Sequence, residues 1–138
     1  MRVDVNRVDM WVASIEDVPG GLSDKLDTLA NADVDLEFIS ARRAPDKPGK
    51  GVVFVTPIKG PKQIRAARKA GFEKSKSLFA IRVATGNKPG YSADLTMRLA
   101  EAGLNLRGIS GATISNRAIF HIAFDSSADV SKAIRVIK

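Results

Sequence analysis

Apolar and polar positions change period several times along the chain, and each change marks an element. Met10 to Ile15 is apolar at Trp11, Val12 and Ile15 and runs into Asp17-Val18-Pro19-Gly20, the pattern of a strand and a turn. From Gly21, Leu22, Leu26 and Leu29 recur at helical spacing as far as Ala30, with Asp24 in the first turn, where the helix dipole favours an acid. Val34 to Ala41 alternates Val34, Leu36 and Phe38 with acids and Ser40, the period of a half-buried strand. Pro45-Asp46-Lys47-Pro48-Gly49 makes a turn or loop, and Val52 to Val55 is a short buried strand. Pro61 opens a second helix where its missing N–H costs least, and Gly71 stops it after Ala70. Phe72 to Ser77 fits a fourth strand.

The order then starts again. Leu78 to Ala84 reads as a strand, Tyr91 to Ala102 as a helix stopped by Gly103, and Leu104 to Ser110 as a strand. Ser110-Gly111-Ala112-Thr113 reads as a polar turn, Ile119 to Phe124 as a strand, and Ala128 to Ile137 as a helix. Laid over Asn87-Lys88-Pro89-Gly90, the Asp17-Val18-Pro19-Gly20 turn brings Leu29-Ala30 onto Leu99-Ala100 and Ala32 onto Ala102. It also brings Val34-Asp35-Leu36 onto Leu104-Asn105-Leu106 and Ile39-Ser40 onto Ile109-Ser110, without a gap. The chain is a duplication. Two β-α-β-β-α units predict an α+β fold of mainly antiparallel sheets with helices on one face, divided into 1–77 and 78–138. The second copy ends on a helix and lacks a fourth strand. Arg2 to Asn6 stands before Met10 as Phe72 to Lys76 stands before Ala80, so the N-terminal strand, residues 2–6 within 1–9, is expected to close the sheet of the second unit.

Composition narrows the chemistry. The chain has 138 residues, 44% of them hydrophobic and 27% charged, as in a soluble globular protein. No apolar run approaches the ~18 residues of a membrane helix, and the charged start MRVDVNRVDMW is no signal peptide, so a cytoplasmic location is expected. With no cysteine and one histidine, disulfides, thiol nucleophiles and zinc-thiolate sites are excluded, and the sequence calls for no metal or cofactor. The formal charge of +7 is unevenly spread. Between Arg42 and Lys76 eleven cations face only Asp46 and Glu73, while the rest of the chain is mildly acidic.

Asn87-Lys88-Pro89-Gly90, the helix residues Leu95 and Leu99, and Ala102-Gly103-Leu104-Asn105-Leu106 together resemble the ACT domain, the small ferredoxin-like regulatory module of amino-acid metabolism. The family pattern is a strand ending in Asp or Asn, one residue, Pro-Gly, a helix, then Gly-apolar-Asn-apolar. The second copy matches throughout. The first matches at Asp17-Val18-Pro19-Gly20 but reads Asp33-Val34-Asp35-Leu36 at the second element. The resemblance covers nearly the whole chain as two tandem βαββαβ units and leaves no catalytic segment. It implies a free-standing, non-catalytic regulatory protein that binds a free amino acid, forms a homodimer and acts on an unidentified regulated protein.

In that family the ligand sits between two domains packed side by side, with the strand-to-helix turn of one facing the second strand of the other. The resemblance thus places ligand-binding residues at Thr85, Asn87, Pro89, Gly90, Tyr91 and Asn105 in the second copy, and at Asp17, Gly20, Gly21, Leu22 and Asp35 in the first. A mixed pairing, Asn87 facing Asp35 and Asp17 facing Asn105, would give each site one acid for an ammonium and one amide for a carboxylate. Asp17 equally suits a helix cap. Tyr91, where the first copy has Gly21, suits either a wall for a ligand side chain or a cover for the core.

Two rivals remain. Lys50-Gly51-Val52-Val53-Phe54-Val55-Thr56-Pro57 loosely resembles the third-strand signature of the RNA-recognition motif, and the basic region 42–76 would suit RNA or an acidic partner protein. Val52 and Pro57 stand where that motif stacks bases on rings, which disfavours nucleic acid. The Arg42–Gly51 loop reads as partner-binding or merely solvated. An enzyme is disfavoured more strongly, since His121 alternates with Phe120, Ile122 and Phe124 as a strand residue and no nucleophile elbow or phosphate loop occurs.

Overall fold

The computed structural model describes residues 2–138. In chain order its elements are β1 (Val3–Val8), β2 (Trp11–Glu16), α1 (Gly21–Ala30), β3 (Phe38–Arg43), β4 (Lys50–Thr56) and α2 (Gly60–Lys69). There follow β5 (Glu73–Lys74), β6 (Phe79–Gly86), α3 (Tyr91–Glu101), β7 (Gly108–Ile114), β8 (Arg117–Phe124) and α4 (Ser127–Ile137). Two compact units result. The N-terminal unit spans 9–75, and the C-terminal unit joins 76–138 to residues 2–8. Each holds a four-stranded antiparallel sheet, ordered β3-β4-β2-β5 in the first and β1-β6-β8-β7 in the second. The N-terminal strand therefore completes the sheet of the second copy, Val3 opposite Thr85 through Val8 opposite Ala80. It occupies the edge that β5 fills in the first copy, where only Glu73 and Lys74 pair with β2.

The alternating positions fill two separate cores. In the N-terminal unit Trp11, Ala13, Val53 and Val55 face Leu29, Ala67 and Phe72. In the C-terminal unit Ile81, Val83, Ile122 and Phe124 face Leu95, Leu99, Val130 and Ile137. Three helices end on the same paired bonds. The N–H of Val34, Phe72 and Leu104 reaches back to the carbonyl of Leu29, Ala67 and Leu99, and that of Asp33, Gly71 and Gly103 to Ala30, Arg68 and Ala100. The motif needs a left-handed residue. Gly71 and Gly103 supply it at φ 94° and 77°, and Asp33 adopts it at φ 61°. The Asp33 carboxylate accepts from Lys62 Nζ at 2.9 Å, a bond that lowers its pKa.

Two expectations are corrected. β3 begins at Phe38 and β7 at Gly108, four residues beyond the start of each alternating run. Val34 and Leu36 pack against the first core and Leu104 and Leu106 against the second, without a ladder partner. Their alternation records burial, and strand pairing starts only after Glu37 and Arg107 donate to the Thr56 and Ala123 carbonyls. Ser110-Gly111-Ala112-Thr113 is no turn. It is the centre of β7, and the reversal falls at Ser115-Asn116.

Candidate functional site

Each unit turns from its first core strand into its first helix by the same geometry. Gly20 and Gly90 take left-handed φ of 86° and 85°, and Gly21 and Tyr91 donate to the Val18 and Lys88 carbonyls at 3.1 and 3.2 Å. No side chain caps either helix. At α3 the Tyr91 N–H is taken by Lys88, which leaves the exposed Ser92 and Ala93 as the first-turn positions able to offer an N–H, where the helix dipole adds partial positive charge.

Around this turn the C-terminal unit forms a cavity of about 760 Å³. Asn87, Pro89 and Gly90 line one side, with Ser92, Ala93 and Thr96 from α3, and β7 and β8 supply Ile109, Gly111, Thr113 and Phe120. Its floor is aromatic. Tyr91 is 7% exposed and its ring centroid lies 6.0 Å from that of Phe120, at an interplanar angle of 41°. Burial pushes the Tyr91 phenol pKa up, while Arg98 works against the shift. Gly111 lies opposite Phe120 across the β7–β8 ladder, and a Cβ there would stand 2.7 Å from the Phe120 ring. Glycine lets that ring lie across the edge strand. The Asn87 N–H is held by the Asn116 carbonyl at 2.7 Å, and its exposed side-chain oxygen has a long contact of 3.5 Å with the Thr113 hydroxyl.

The same place in the N-terminal unit is narrower. The corresponding cavity is about 230 Å³ and is lined by Asp17, Leu22, Arg42 and Arg43. A six-residue loop at 44–49 joins β3 to β4 where two residues join β7 to β8, and the Gly49 carbonyl accepts from the Asp17 N–H. Arg43 Nε donates to the Asp17 carboxylate at 2.8 Å, and Lys50 pairs with Glu16. Asp17 thus serves neither as a helix cap nor as an unpaired acid. Gly21 lies so close to the Glu16 carbonyl oxygen that a Cβ would stand 2.2 Å from it.

Among the candidate residues of the second copy, the structure gathers Asn87, Pro89, Gly90 and Tyr91 at one cavity. Thr85 is fully buried and donates its hydroxyl proton to the Arg2 carbonyl at 3.1 Å, tying β1 to β6. Asn105 is exposed in the stretch before β7 and does not line this cavity, and Asp35 is exposed at the equivalent position before β3. Nothing local in the sequence marks Thr113 and Phe120, because only the strand register brings them to the cavity that Asn87 lines. Among the described residues no cluster of acids or histidine could hold a metal ion, and no helix is long and apolar enough to cross a membrane.

Solved structures share this architecture over almost the whole chain. A protein from Bacteroides thetaiotaomicron superposes with a TM-score of 0.77 at 18% identity, covering 96% of this chain and 88% of that one. The ligand-free regulatory subunit of aspartate kinase from Thermus thermophilus gives 0.66 at 17% identity, covering 98% and 93%. The chain has the fold of tandem ACT domains. Aspartokinase alpha and beta subunits share the ACT fold at a TM-score of 0.65 and 18% identity, over 99% of this chain and 95% of that one. No family model and no curated protein matches the sequence.

Proposed function

We propose that the C-terminal ACT unit binds a free α-amino acid at the turn between β6 and α3, and that the chain is a non-catalytic regulatory module whose association with a partner depends on that ligand. One observation carries the reading: the cavity of about 760 Å³ in which the Asn87 amide, the open end of α3 and the Tyr91–Phe120 floor meet. A carboxylate suits the first-turn N–H groups. An ammonium suits the oxygens of Asn87 and Thr113. The ligand side chain then lies along Ile109 and Phe120. Likeness in fold to regulatory subunits of aspartate kinase supports the regulatory half. The ligand changes association only by binding two association states unequally.

A thermal-melt panel of the protein against the twenty amino acids tests this. A ligand at about 100 times its dissociation constant adds about 2.7 kcal/mol and raises the melting temperature by several degrees. One or two hits that Asn87→Ala abolishes are expected. A flat panel, or a hit indifferent to Asn87, would contradict the reading.

A further inference from the structure

The helical face of the N-terminal unit carries its charge in two rows. α2 exposes Lys62, Arg65, Arg68 and Lys69 and bears no acid. α1 exposes Asp24 and Asp27, and its one cation, Lys25, is turned onto the Ala70 carbonyl. The helices run antiparallel, because Lys25 near the start of α1 meets the end of α2 while Asp33 beyond α1 meets Lys62 at the start of α2. Of the α2 cations, only Lys62 forms an ion pair among the described residues, and Arg65, Arg68 and Lys69 form none. Between the helices runs a groove of about 440 Å³ lined by Lys69 and by the short side chains of Thr28, Asn31, Ala32, Ala66 and Ala70, so another helix layer can come close beside that cation.

We infer that this face is covered by the same face of a second copy of the chain. A two-fold axis parallel to the helices lays α1 of each copy over α2 of the other. Antiparallel packing sets the levels: Asp27 of one copy lies near Arg68 of the other, and Asp24, nearly one turn closer to the start of α1, lies just past Lys69 at the end of α2, within the span of that flexible side chain. Both acids of each copy then meet cations unpaired within their own chain, and the contact forms twice.

Sedimentation of the full-length protein at about 50 mM and about 500 mM salt tests the inference, since the pairs are solvent-accessible and screened. The wild type is expected to dimerise, with a dissociation constant about tenfold or more higher at high salt. Arg68→Glu/Lys69→Glu and Asp24→Lys/Asp27→Lys are each expected to be monomeric, and an equal mixture of the two to recover a dimer with one chain of each. A wild type monomeric at low salt would overturn it. So would a charge-reversed chain that dimerises as the wild type does, the result expected if copies met along the uncharged edge of β7 instead. Failure of the mixture to pair would overturn it as well, and RNA or an acidic protein bound by the α2 cations would then explain the basic face.

Discussion

The two copies share a turn and differ in what surrounds it. Both present Pro-Gly, a left-handed glycine and an uncapped helix. In the C-terminal copy Tyr91 and Phe120 fill the space below the turn, Gly111 makes room for the ring, and a two-residue hairpin leaves Asn87 at the mouth. In the N-terminal copy the corresponding positions hold Gly21, Val53 and Ala41, and a longer loop brings Arg43 onto Asp17 and Lys50 onto Glu16. The motif alone does not make a site. The residues that pack beneath it and the loop that leans on it decide whether the helix end stays open.

Exchanging the residues that set the copies apart should have the largest effects. Tyr91→Gly removes a buried ring and is expected to destabilise the C-terminal unit by about 4 kcal/mol in denaturant unfolding. Gly21→Ala should destabilise the N-terminal unit by about 3 kcal/mol, because the added carbon meets the Glu16 backbone. If Gly21→Ala were neutral, that turn would be looser than its geometry shows.

Binding should separate the copies next. Asn87→Ala is expected to weaken the amino acid found by the melt panel about tenfold or more, and Asp17→Ala to leave it within about twofold. Equal effects would erase the distinction. Arg43→Ala breaks an exposed ion pair and should cost under about 1 kcal/mol, detected as a small shift in the melt. A larger loss would mean that the pair holds the 44–49 loop in place.

The smallest effect is spectroscopic. Tyr91 is the sole tyrosine, so alkaline absorbance reports the C-terminal floor alone. Its folded pKa is raised by burial. The associated stability is therefore intact below the unfolded value of 10.0 and is lost as pH rises through the folded value. A phenol titrating at its ordinary value in the folded protein would contradict the buried floor.

Much of this fold was legible in the chain. Glycines at 71 and 103 mark helix ends, and the offset between copies exposes both the missing fourth strand and the N-terminal segment that replaces it. The starts of β3 and β7 were not legible, because Val34, Leu36, Leu104 and Leu106 alternate as buried strands do while lacking a neighbour. Half of the site was hidden for a similar reason. Asn87 and Tyr91 follow a local motif, whereas Phe120 and Thr113 enter through the register of β8 and β7. Asp17 looks like a ligand group in sequence, and only the fold shows Arg43 upon it.

Calorimetric titration of the wild-type protein with the amino acid that stabilises it counts the open sites directly. The account predicts one molecule bound per chain, with no second event at higher concentration. Two molecules per chain would show that the N-terminal turn is as open as its partner, and heats of dilution alone for all twenty amino acids would remove the ligand from the account.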